Sequence, residues 1–131
     1  MDNFRLQIIT PERIFLDTEA YMVEFNTTDG EIGIYKNHIP MTVIIKPGVL
    51  TITDGEEQKK AALHAGFVEI LQESVTVLAE VIEWPDEIDE KRAEDALDRA
   101  RERIQKKDPA TDIARAEVAV QRAMARINAI K

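Results

Sequence analysis

Six arginines in the last third of the chain carry the strongest chemical signal. Arg92, Arg99 and Arg103 are spaced seven and then four residues apart, and Arg115, Arg122 and Arg126 repeat that spacing. On a helix either set falls on one face. Guanidinium is a planar, permanently charged fork that grips phosphate or carboxylate through paired N–H donors. Two such ridges side by side would make a concentrated cationic surface. One possible fate is internal, as acid–base pairs four residues apart on a solvated helix face. Asp95 can pair with Arg99 in this way, but the residue four before Arg122 is Val118. The second set has only Asp112 and Glu117 against its arginines. The other fate is an external anion, either a phosphate group or an acidic protein surface.

No residue set for covalent or acid–base catalysis accompanies them. The chain has no cysteine, which excludes disulfides and thiolate metal sites and suits a reducing compartment. Its two histidines, His38 and His64, sit in no metal-ligand spacing, and no Gly-rich loop precedes a helix. His64 reads as a strand-end histidine satisfied by its neighbours. His38 lies in a loop between two glycine-punctuated strands, a place where contacts are made, and the residues alone leave its role open. An enzyme is the least expected class.

The elements that hold these residues divide the chain at Trp84 and Pro85. Over residues 1–84, short apolar runs alternate with polar residues at the period of a strand, as in Phe4, Leu6 and Ile8 or Tyr21, Val23 and Phe25. Turn signals such as Asp29-Gly30 and Asp54-Gly55 separate the runs. The pattern predicts nine or ten short antiparallel strands in a sandwich or barrel. Gln58 to Leu63 is polar and contains Lys59 and Lys60, as suits a sheet edge. This half is acidic and accounts for the whole net charge of −8, which argues against nucleic-acid binding. No basic-then-apolar leader opens the sequence and no run is long enough to cross a bilayer, so neither a signal peptide nor direct membrane insertion is expected.

Residues 85–131 read as two helices written in one repeated phrase. Asp89, Arg92-Ala93-Glu94, Ala96, Arg99-Ala100 and Arg103-Ile104 recur as Asp112, Arg115-Ala116-Glu117, Ala119, Arg122-Ala123 and Arg126-Ile127. Asp86 or Asp89 can cap the first helix, and Thr111 or Asp112 the second. The first apolar stripe is Ala93, Ala96, Leu97, Ala100 and Ile104. The second is Ile113, Ala116, Val120, Ala123, Met124, Ile127 and Ile130. The break at Lys107 to Thr111 makes an antiparallel hairpin. Alanine removes little apolar surface on burial, so the hairpin should dock weakly, by a few kcal/mol at most, and a ligand could set its position.

Gly30-Glu31-Ile32-Gly33-Ile34, His38-Ile39-Pro40 and Lys46-Pro47-Gly48 together resemble the signature of the epsilon subunit of F-type ATP synthases. Gly66-Phe67-Val68-Glu69 and Val75-Thr76-Val77-Leu78-Ala79 are similar to the end of that family's sandwich domain, and the helical hairpin completes the match. Lys36-Asn37 departs from the Pro-Gly often found before the histidine. Asn tolerates the left-handed conformation that glycine would adopt there, so the loop is expected to survive.

The resemblance implies a β-sandwich of ten strands over residues 1–84 and a regulatory hairpin over 85–131. It implies a non-catalytic rotor subunit that binds the gamma subunit and rests on the c-subunit ring, with Glu31 and His38 facing the ring. The complex would hold it peripherally at the cytoplasmic face of the cell membrane. An extended hairpin would meet the alpha and beta catalytic subunits and inhibit ATP hydrolysis. Some members bind ATP in the folded hairpin through Ile/Leu-Asp-x-x-Arg-Ala, matched here by Ile88, Asp89, Arg92 and Ala93. Glu83, Arg99, Arg115, Arg122 and Arg126 match the supporting positions. No cofactor is required on this reading; ATP would be a regulatory ligand, with or without Mg²⁺. The alternatives are that Asp89 only caps a helix while the arginines only pair with acids on the catalytic subunits, and that the chain is a free-standing ATP-sensing or ligand-binding module without a rotary partner.

Overall fold

The computed structural model describes residues 2–131. Eight strands form the first part: β1 (Phe4–Ile9), β2 (Ile14–Ala20), β3 (Met22–Thr27), β4 (Gly30–Tyr35), β5 (Met41–Ile44), β6 (Gly48–Asp54), β7 (Glu57–Ile70) and β8 (Ser74–Glu83). They are hydrogen-bonded in the order β2-β1-β8-β7-β6-β3-β4, and β5 pairs with β7.

Strand β7 makes the sandwich. Its first half pairs with β6, and its second half pairs with β5 and β8 on opposite edges. The ladder thereby folds over itself, and the two inner faces share one core. Phe4, Leu6 and Ile8 of β1, Val23 and Phe25 of β3, Leu50 of β6, Val68 and Ile70 of β7, and Val77 of β8 are buried in it. There are eight strands where nine or ten were expected, and Gln58 to Leu63 and Phe67 to Ile70, read as two strands, are one strand of 14 residues. Gly66, at φ +131, lets β7 bend without breaking, beside irregular pairing from Leu63 to Gly66. Antiparallel pairing holds everywhere except β1 with β8, which run parallel. Lys59 and Lys60 are exposed and pair only with β6, because pairing to β8 begins at Ala62.

After a tight helical turn at Pro85–Glu87 come α1 (Glu90–Lys106) and α2 (Ile113–Ile130). Asp89 Oδ1 accepts the Arg92 N–H at 3.1 Å, and Asp112 Oδ1 accepts the Arg115 N–H at 3.1 Å. The repeated phrase is thus a repeated helix start. Ala93, Leu97 and Ala100 of α1 are buried, as the first stripe predicts. The second stripe needs correction. Ala116 and Ala123 of α2 are buried, but so are Ala125 and Ala129, which lie on another face and pack on Ala62, Val49 and Ile88. Ile113 is 38% exposed. Helix α2 serves two neighbours, α1 and the sandwich, and a single stripe cannot describe it. The fully buried centre of the docking contact is three alanines, Ala62, Ala125 and Ala129.

Candidate functional site

The site lies where the hairpin meets the end of β8. The chain leaves β8 through Trp84, whose indole stacks on Phe15 with ring centroids 4.4 Å apart. The following turn is clamped from below. Arg13 donates through Nη2 to both oxygens of Glu87, at 2.9 and 2.8 Å, and the Trp84 N–H donates to the same carboxylate. The Trp84 N–H, with Arg13 adding to it, holds the Glu87 carboxyl below its usual range. This clamp fixes where Ile88 and Asp89 begin, so α1 starts from a defined point on the sandwich.

A cleft of about 350 Å³ opens there, lined by Glu83, Glu87, Ile88, Asp89, Arg92, Ala93, Ala96, Arg99 and Arg126. Seven of the nine residues expected to hold a nucleotide line it: Glu83, Ile88, Asp89, Arg92, Ala93, Arg99 and Arg126. The other two, Arg115 and Arg122, line an adjoining cleft of about 860 Å³ with Arg103 and Asp112. Ala96 and Arg126 belong to both walls. Both volumes fall in the range of small-molecule sites, roughly 300–1,000 Å³.

The larger cleft carries four arginines against Asp112, and the smaller sets Arg92, Arg99 and Arg126 against Glu83, Glu87 and Asp89. Among the described residues no salt bridge engages Arg92, Arg99, Arg103, Arg115 or Arg122. The Asp95–Arg99 pair is not formed. Arg126 alone is committed, with its Nε–H 2.8 Å from Glu83 Oε1. That bond joins α2 to β8 across the junction. Asp89 spends one oxygen on the cap and still lines the cleft, so capping and cleft-lining coexist in one side chain.

Two contributors lie outside the nine residues expected to hold a nucleotide. Arg103 carries the same helical spacing as Arg92 and Arg99, which was the available signal. His64 is buried, 1% exposed, with Nε2 2.9 Å from Glu83 Oε1 and Nδ1 without a partner. It sits within β7 rather than at a strand end, and only one of its nitrogens is satisfied. Its strand period with Ala62, which packs under α2, was the clue.

Glu31 and His38 are not brought together. Glu31 is the second residue of β4, and His38 lies beyond that strand's far end. Glu31 lines a groove with Gln121 and Asn128 of α2. His38 Nδ1 is 2.8 Å from the Ile39 carbonyl oxygen. The loop before it survives the Pro-Gly departure: Asn37 adopts φ 67 and its N–H donates to the Gln72 carbonyl at 2.7 Å.

Residues 3–85 match the family described as ATP synthase, Delta/Epsilon chain, beta-sandwich domain. Residues 86–131 match its partner, ATP synthase, Delta/Epsilon chain, long alpha-helix domain. An ATP synthase epsilon chain of Clostridium novyi is 44% identical over 129 residues, 98% of each chain. The chain belongs to the ATP synthase epsilon-chain family. Another epsilon chain, from Caldicellulosiruptor saccharolyticus, is 37% identical over 131 residues, 100% of this chain and 96% of the relative. A chain in the Euglena gracilis mitochondrial ATP synthase shares the fold at TM-score 0.81 and 21% identity, over 92% of this chain and 77% of that one. As an epsilon chain the protein is a non-catalytic subunit of the synthase, and the free-standing module reading gives way.

Proposed function

We propose that this epsilon chain forms the foot of the rotor, coupling ion flow to ATP synthesis, and that ATP holds its hairpin down as a released brake. The observation that carries the reading is the pair of arginine-lined clefts at the hairpin junction, fastened across by Arg126 and Glu83. A polyphosphate fits unpaired guanidinium groups by charge and by fork geometry. Ligand in these clefts touches both helices and the end of β8, so it favours the docked hairpin over any state in which those walls separate. Without it, the hairpin is held by Ala125 and Ala129 against Ala62, Val49 and Ile88 and by one ion pair. Released, the same arginines meet the acidic surface of the alpha and beta subunits and hydrolysis is inhibited.

The gamma subunit meets the sandwich on its outer face. Ile44, Phe67, Leu78, Ile9 and Ile14 are successive cross-strand partners from β5 through β7, β8 and β1 to β2, and share one face. Ile44 is 61% exposed and Ile14 65%, and an apolar groove of about 390 Å³ runs past Phe67 and Leu78. The hairpin packs on β6 and β7 and leaves this row bare. A row of exposed apolar side chains marks a protein contact. Glu31 and His38 face the c ring, and through these partners the chain sits peripherally at the cytoplasmic face of the membrane. No helix among the described residues is long and apolar enough to cross a membrane.

The test is calorimetric titration of ATP into the full chain, with and without Mg²⁺. Heat of binding that disappears in Arg92→Ala is expected. No heat at millimolar ATP would remove the regulatory reading and leave the stalk assignment standing.

A further inference from the structure

Glu83 Oε1 accepts from both sides of the junction, from His64 Nε2 at 2.9 Å and from Arg126 Nε at 2.8 Å. A carboxylate can only accept, so the Nε2 of His64 carries the proton and Nδ1 is bare. Nδ1 is buried and has no partner. A second proton on the ring would therefore sit where no acceptor exists. The charged groups facing the ring are Glu83 from β8 and Arg126 and Arg122 from α2. One carboxylate would then be shared between an imidazolium and a guanidinium, with a second guanidinium close by. The side chain cannot escape to water, because it is 1% exposed. Ala62, on the same face of β7, lies under Ala125 and Ala129.

We propose that His64 is a positioning residue of the hairpin junction: its neutral ring holds the Glu83 carboxylate where Arg126 of the docked hairpin meets it, and protonation of that ring frees the hairpin. Acid then weakens docking. Burial, first, and the two arginines push the ring below its ordinary 6.5, against the opposing pull of Glu83. Undocking takes both arginines away and leaves Glu83, so the ring regains its basicity. The undocked state binds the extra proton. Docking is therefore fully supported above about pH 6.5 and is lost as pH falls below it, through the depressed value of the docked ring. The nucleotide consequence rests on the function proposed above: ATP affinity falls in the same window, beyond whatever the protonation of ATP itself contributes.

The chain has no cysteine, so the exposed Asp54→Cys and Glu117→Cys substitutions place one fluorophore on the sandwich and one on α2 of the full-length protein. Energy transfer is read without nucleotide from about pH 7.5 to about pH 5.5, the range in which histidine is the ordinary titrating side chain. Transfer should fall with acid in the otherwise wild-type chain and stay level in His64→Asn, which keeps a donor for Glu83 and cannot titrate. With two histidines in the chain, the ring signals also give the His64 titration directly by NMR, independent of whether His64→Asn folds. A His64 ring that charges while the labels still report a docked hairpin overturns the proposal. So does an equal pH response in both chains. If ATP gives no heat at any pH, the nucleotide reading fails, and the labels still decide the role of His64.

Discussion

Replacing Arg126 by alanine tests the junction most directly. The side chain joins α2 to the sandwich through one bond, Nε–H to Glu83 Oε1 at 2.8 Å, with side-chain exposures of 32% and 24%. That places the pair between two regimes. Exposed pairs contribute about 0.2–1 kcal/mol, and breaking a buried one costs about 3–5 kcal/mol. Partial exposure brings the cost to about 1–3 kcal/mol, or about 5–150-fold in the docking equilibrium. The rest of the contact is Ala62, Ala125 and Ala129 with Val49 and Ile88 at the edge. At about 0.8 kcal/mol for each buried methyl-sized group, the three alanines supply a comparable amount. Losing Arg126 should therefore turn a mostly docked hairpin into one that is often free. The assay is the same label pair, read without nucleotide at about pH 7.5, where histidine is largely neutral. Thermal stability of the sandwich should barely change, since the core lies elsewhere. Arg126→Lys should fall between, because an ammonium lacks the directed Nε–H of the fork. An Arg126→Ala chain as docked as the wild type would refute the claim that this bond decides hairpin position.

Gly66→Ala should destabilise the sandwich by at least about 3 kcal/mol, the scale of a backbone held in a disfavoured region with overpacking added, seen as a lower melting temperature. A Cβ at Gly66 would lie 2.0 Å from the Leu78 carbonyl oxygen, at φ +131. Phe67→Asp should leave that temperature nearly unchanged, because Phe67 is 42% exposed, yet abolish co-purification with the gamma subunit at a cost of about 2 kcal/mol or more, the scale of an interface hot spot. Retained co-purification would remove the cross-strand row as the docking face.

Much of the site was legible in the chain. Helical spacing alone put the arginines on ridges, because a residue's direction on a helix follows from its number. The repeated Asp-x-x-Arg-Ala announced two capped helix starts, and the shortage of acids beside Arg122 announced unpaired cations. Alternation located the core strands, and Pro85 divided them from the helices. These properties are local: each needs only near neighbours in sequence. Tertiary structure decided the rest. Nothing local says that β7 stays continuous through Gly66 and serves both layers, or that β1 lies parallel to β8, since partners 69 residues apart in the chain, as for Arg5 and Ser74, are chosen by packing. Nothing local says that α2 buries a second set of alanines against Ala62. Nor could spacing reveal that Glu83 would be claimed from two sides, by a histidine 19 residues before it and an arginine 43 residues after. Those atoms share a site only because the hairpin folds back over β7. Whether that fold-back persists depends on a buried ring nitrogen whose environment no stretch of sequence contains.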